Sequence, residues 1–275
     1  MYCDILLPFV LGRLHEQALG LATALSREQG SRLVALAGAS VVVPVATGWM
    51  YYPAVYTALH EPAKETVRML ATSLEERLAG AGVDWLVSAN ERVWEGPVDQ
   101  VMPQSRCVDL TILGLHRDDP GIEDTLVSSL LVESGVPLLL VPPEARDAVP
   151  RDVVIAWKST RESIRAVHDA LPLLVAAQRV HLLSIDAGPG EPSREKDATL
   201  RLVTHLQRHG VSASPVHRGY EEGGAGPAIL NFVKESGADC IVAGGYGRSR
   251  ASEFLFGGVT RTLIRHSPIP VFLAH

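Results

Sequence analysis

Asp239-Cys240-Ile241-Val242-Ala243-Gly244 is an apolar run held between an acid and a glycine, and Asp109-Leu110-Thr111-Ile112-Leu113-Gly114 repeats it. Upstream, Gly226-Pro227 stands to the later run as Gly96-Pro97 stands to the earlier one. Downstream, each run leads to a proline and a further apolar segment, Ile269-Pro-Val-Phe-Leu-Ala274 and Val136-Pro-Leu-Leu-Leu-Val141. The likeness extends to the start of each half, where Asp152-Val-Val-Ile-Ala-Trp-Lys158 resembles Asp4-Ile-Leu-Leu-Pro-Phe-Val10. Self-similarity at a fixed offset marks a duplicated structural unit.

Within each copy, short apolar runs alternate with helical patterns, near Arg13 to Gln29 and near Arg161 to Ala177. In the latter, Ile164, Val167, Ala170, Leu171 and Leu174 recur at helical spacing. Runs that are apolar throughout suit parallel strands covered on both faces. The fold class expected is α/β, two tandem open parallel sheets flanked by helices. The first domain spans 1–143 and the second 150–275. Between them Pro142, Pro143 and Pro150 bracket a charged stretch unsuited to helix or strand. In such sheets a ligand sits beyond the carboxyl ends of the strands, where the strand order reverses.

The copies differ most at about 39–60, where the first carries an insertion with Trp49, Tyr51, Tyr52 and Tyr56. Long loops in compact domains are often functional, so this one reads as a lid or partner surface. Packing of these aromatics over the first sheet, or in the contact between the copies, is the reading preferred over that one. The second copy carries a glycine-rich loop, Gly244-Gly-Tyr-Gly247-Arg248, which continues to Gly257-Gly258-Val259-Thr260. Glycine at a strand end lets backbone amides approach an anion, and a helix start near Gly258 adds unpaired N–H groups and a positive dipole end. Arg248, Arg250 and Thr260 are further donors. The chemistry offered is phosphate binding. No Gly-Lys-Ser/Thr follows, so this is not a Walker A loop.

The spacing Gly244-x-x-Gly247, then nine residues, then Gly257, with Ser267-Pro-Ile-Pro-Val-Phe-Leu273 beyond, resembles the C-terminal signature of the universal stress protein family. Val153 to Ser163 resembles its first strand and helix start. The resemblance covers both halves and implies a tandem two-domain member, each domain five-stranded, Rossmann-like and of the adenine nucleotide alpha hydrolase-like kind. It implies ATP or another adenine nucleotide as the ligand of some members, while others bind none. Carried to this sequence, the site comprises Trp157, Lys158, Ser159, Gly244, Gly247, Arg248, Gly257, Gly258, Val259 and Thr260.

Two departures bear on the ligand. Lys158 stands where ATP-binding members usually have aspartate, and a lysine only donates hydrogen bonds. Gly258 stands where the family has Ser or Thr, so one side-chain donor is lost. In the first copy Arg117 and Asp124 replace the second and third glycines. That copy is expected to bind no nucleotide, because a carboxylate there repels phosphate. Arg13, His116 and Arg117 are expected to pair with Asp118, Asp119 or Glu123.

The chain carries a net charge of -6, which argues against a nucleic-acid surface. No apolar run approaches the roughly 20 residues of a membrane span. Cys3, Cys107 and Cys240 have neither disulfide nor zinc spacing and are expected to be buried in strands. Together with an N-terminus that reads as a strand, this suggests the cytoplasm. Among ten histidines only His205 and His209 have i, i+4 spacing, and no nearby Glu or Cys completes a metal site. Ser159, Ser249 and Ser252 lack the context of a nucleophile elbow. No catalytic group and no metal requirement is therefore expected.

The leading reading is a non-catalytic stress-response protein with a nucleotide or anion site in the second domain. The alternatives are a ligand-free scaffold acting on a regulatory protein, and a slow ATP hydrolase. The resemblance also implies pairing of the final strands, Val136 to Val141 with Val271 to Ala274. That pairing is expected within the chain, with a homodimer through another surface as a further arrangement.

Overall fold

The structure is a computed structural model. It describes residues 1–41, 53–118, 120–186, 196–219, 222–246 and 258–275, without side chains at 53–58, 120 and 196. The first half runs β1 Asp4–Phe9, α1 Glu16–Gln29, β2 Arg32–Gly38, α2 Pro53–Ala79, β3 Asp84–Asn90, α3 Pro97–Ser105, β4 Leu110–Gly114, α4 Pro120–Glu133 and β5 Leu138–Val141. The second half runs β6 Asp152–Ala156, α5 Arg161–Asp169, α6 Leu171–Ala176, β7 Arg179–Ile185, α7 Lys196–Arg208, β8 Ala213–Arg218, α8 Ala225–Ser236, β9 Cys240–Gly244, α9 Gly258–His266 and β10 Val271–Ala274.

These strands form one sheet of ten in the order β3-β2-β1-β4-β5-β10-β9-β6-β7-β8. Each half contributes five parallel strands in the same 3-2-1-4-5 sequence, which is the expected α/β architecture. The halves meet through β5 and β10, whose antiparallel register sets Phe272 against Leu139. The pairing of final strands is thus made inside the chain. Runs with alternating faces explain the two cores. On β6, Val153 and Ile155 enter one apolar cluster with α1, α2, α5, α6 and α7, while Val154 enters the other with α3, α4, α8 and α9. Both clusters cross the seam, so the halves share their interior.

Three details depart from the sequence expectations. The helix expected from Arg161 to Ala177 is two helices, broken at Ala170 (φ -84°, ψ -4°). Pro172 explains the break, because it lacks an N–H and its ring crowds the carbonyl of His168. Part of the insertion is helix, since α2 already starts at Pro53 and runs 27 residues. Trp49, Tyr51, Tyr52 and the Tyr56 side chain lie outside what is described. Only Cys240 is buried in a strand; Cys3 precedes β1, Cys107 follows α3, and both are exposed.

Candidate functional site

In each half the strand order reverses between the first and fourth strands, at β1/β4 and at β6/β9. In the second half, the Trp157 N–H donates to the Leu183 carbonyl at 2.7 Å and prolongs the β6 edge. Lys158 and Ser159 follow and are exposed at the carboxyl end of the sheet. Thr160 then caps α5, its hydroxyl accepting from the Ser163 N–H at 3.3 Å. On β9, Gly244 sits directly under this turn: a Cβ there would lie 2.5 Å from the Ser163 nitrogen. Tyr246 has a left-handed backbone, φ 57°. Helix α9 opens on exposed Gly258 and Val259, and no atom of the described residues lies within 4 Å of where a Gly258 Cβ would project.

Topology brings Trp157, Lys158, Ser159, Gly244, Gly258 and Val259 to one end of the sheet, with the N-termini of α5 and α9. Thr260 does not join them as a donor, being 5% exposed on the buried face of α9. Gly247, Arg248, Arg250 and Gly257 lie outside the described residues. Sequence reasoning missed one feature here. The Trp157 indole is 8% exposed, and its N–H has no hydrogen-bond partner among the described residues. A buried donor left unpaired costs about 1–3 kcal/mol, so it marks a place where an acceptor is favoured.

The first half answers its own loop differently. The Glu123 carboxylate, from the first turn of α4, accepts from the backbone N–H of His116 at 2.6 Å and of Arg117 at 3.1 Å. Loop amides that could meet an anion are thus met by an internal one. Burial pushes the Glu123 carboxyl up from its ordinary value, and these amides oppose the shift. Arg117 holds φ 63° where the second half has Gly247. Its guanidinium pairs with Glu144 at 3.1 Å and reaches the Ser267 carbonyl of the second half at 2.6 Å. Arg13 pairs with Asp118 as expected, at 2.5 Å. Arg117, expected to pair with Asp118, Asp119 or Glu123, uses its side chain on Glu144 instead. Asp124 likewise faces Arg265 of the second half at 2.5 Å, so its charge serves the seam.

Two histidines line this closed loop. His15 caps α1, and its ring meets that of His116 edge-on at 5.1 Å. Burial lowers both from the ordinary 6.5. The unfolded chain then binds more protons just below 6.5 than the folded one does. Stability present above that value is lost as pH falls through 6.5 towards the lowered values. Urea unfolding across that interval is expected to show the loss, and His116→Leu to make it shallower. An unchanged slope in the variant would rule out this origin.

The sheet register creates one further polar grouping, invisible as a motif. Ser184 on β7 faces His217 on β8, with the Ser184 hydroxyl 3.2 Å from Nδ1 and Asp186 3.3 Å from Nε2. At 4% exposure Ser184 is closed to substrate, so the set reads as a strand-end cross-link.

An α/β protein whose strand order reverses once in each half is the class these features define. Residues 151–275 match the universal stress protein family, so the second half is a domain of that family. A universal stress protein from Archaeoglobus fulgidus superposes with a TM-score of 0.70 at 18% identity, covering 98% of this chain and 95% of that one. A Pseudomonas aeruginosa structure attributed to the same family gives 0.63 at 14% identity, with 99% and 93% covered. At those identities the likeness establishes the fold. A search of curated proteins returned no match. Among the described residues no helix is long and apolar enough to cross a membrane.

Proposed function

We propose that this is a non-catalytic stress-response protein of the cytoplasm whose second half, 150–275, binds an adenine nucleotide or a similar phosphate-bearing anion. The contrast between the halves carries this reading. The first-half loop amides are already met by Glu123, from the opening turn of α4. The matching helix, Gly258–His266, contains no carboxylate and opens on a glycine whose Cβ position is clear of the described residues. The anion is held by backbone N–H groups at that helix start and along Gly244 to Gly257, with Arg248 and Lys158 as cationic partners. Ser159 and the Trp157 indole supply neutral donors. The family resemblance supports a nucleotide, while Lys158 and Gly258 favour a ligand held more by its phosphates than by its ribose. Hydrolysis is not part of the proposal.

Calorimetric titration with ATP, ADP and AMP tests it. Gly258→Asp places a carboxylate at the helix start, where no described residue obstructs its Cβ. Like charges at that distance are expected to weaken phosphate binding at least about tenfold, some 1.4 kcal/mol, without loss of folding. Absence of binding to folded wild-type protein at millimolar nucleotide would overturn the nucleotide reading.

A further inference from the structure

Three histidines come together away from this crevice, and only two of them are close in sequence. His168 lies in the last turn of α5 and is exposed; His205 lies in the last turn of α7 and is half-buried; His209 follows that helix and is exposed. The Nε2 atoms of His168 and His205 stand 3.2 Å apart, their ring centres 5.3 Å apart. The His209 ring meets that of His205 edge-on at 4.7 Å. Two protonated imidazoles would repel at such a distance. Two neutral ones share a single N–H, or else both aim a lone pair at the same cation.

The spacing favours a cation. Zinc binds imidazole nitrogen at about 2.0–2.1 Å in a tetrahedron, which sets neighbouring ligand nitrogens roughly 3.3–3.4 Å apart. The observed separation falls just inside that figure, across two helices that share no backbone hydrogen bonding. Imidazole suits zinc, copper, nickel and cobalt, whereas calcium and magnesium prefer oxygen. As they are placed, no group of three His, Cys, Asp or Glu side chains among the described residues could hold a metal ion. His209 therefore has to turn about its side-chain bonds to become the third ligand, which its exposure allows.

We propose that His168, His205 and His209 form a surface site for one divalent transition-metal ion, joining the end of α5 to the end of α7. Water fills the remaining coordination position. Since α5 begins at the crevice, with Thr160 and Ser163, the ion would fix the far end of a helix whose near end borders the ligand site.

The test is calorimetric titration of tag-free, chelator-treated protein with zinc chloride, alongside magnesium chloride, with a thermal melt at each zinc concentration. One zinc per chain is expected, with a raised melting temperature and no response to magnesium. His168→Gln and His205→Gln should each weaken zinc binding at least about tenfold, and His209→Gln less. All three lie at the surface, and circular dichroism checks that each variant folds. Absence of zinc binding up to about 100 μM, roughly tenfold above a Kd of about 10 μM, would overturn the proposal. Undiminished binding in the His168→Gln/His205→Gln protein would overturn it too, leaving the 3.2 Å contact as a hydrogen bond between imidazoles.

Discussion

Phe272→Ala is expected to remove about 3–5 kcal/mol of folding stability, the usual consequence of emptying a large aromatic site in a packed core. Phe272 is fully buried on β10. It pairs with Val242 of β9 on one side and with Leu139 of β5 on the other. The cavity would therefore open at the seam, in the cluster that also holds Leu139, Val141, Val242 and Ala274. Because the sheet and both apolar layers continue across that seam, the loss should appear in a single cooperative urea transition. Leu200→Ala, at an exposed position on α7, serves as the control and should change stability by no more than about 0.5 kcal/mol. Two separated transitions, with only the later one moved by Phe272→Ala, would show that the halves unfold independently and that the seam contributes little.

The strand–helix alternation was legible because burial on both faces writes continuous apolar runs, and Leu110–Gly114 and Cys240–Gly244 are such runs. The duplication was legible for the same reason, whereas the pairing of β5 with β10 came from the family resemblance and not from the residues themselves. What could not be read depends on contacts without a period. The break at Ala170 comes from one proline inside an otherwise regular apolar pattern. Glu123 reads as a helix-start acid, and nothing local says that it turns back onto the His116 and Arg117 amides. Cys3 and Cys107 resemble Cys240 by residue type, yet they fall just outside the strands. His168 meets His205 only because α5 and α7 lie on the same face of the sheet. The candidate site was partly legible: glycine and helix-start signals pointed to its end of the sheet, while the Trp157 N–H, without a partner among the described residues, required burial to be known.

Gly244 was singled out as a glycine that lets a ligand approach, and its surroundings give it a second duty. An alanine Cβ there would stand 2.5 Å from the Ser163 nitrogen, 2.6 Å from the Glu162 carbonyl carbon and 2.9 Å from the Ser163 Cα. All three are backbone atoms of the first turn of α5, so no side chain can swing aside to relieve the contact. The whole turn must move, straining the Thr160 cap on Ser163 that holds it. Overpacking of this kind costs about 1–3 kcal/mol, and backbone contact puts Gly244→Ala at the upper end of that range. Gly258→Ala is the matched control, since a Cβ there meets none of the described residues within 4 Å. It should leave stability unchanged or raise it by about 0.4–1 kcal/mol, through the unfolded chain. Stability is measured without ligand, so the result does not depend on what the crevice binds. If Gly244→Ala proved as stable as the wild type, α5 could not lie this close to β9. The α5 N-terminus would then be too far from the strand end to share in holding an anion. A large loss, by contrast, would mean that the glycine sets the distance between helix and strand, and with it the width of the crevice in which a phosphate must fit.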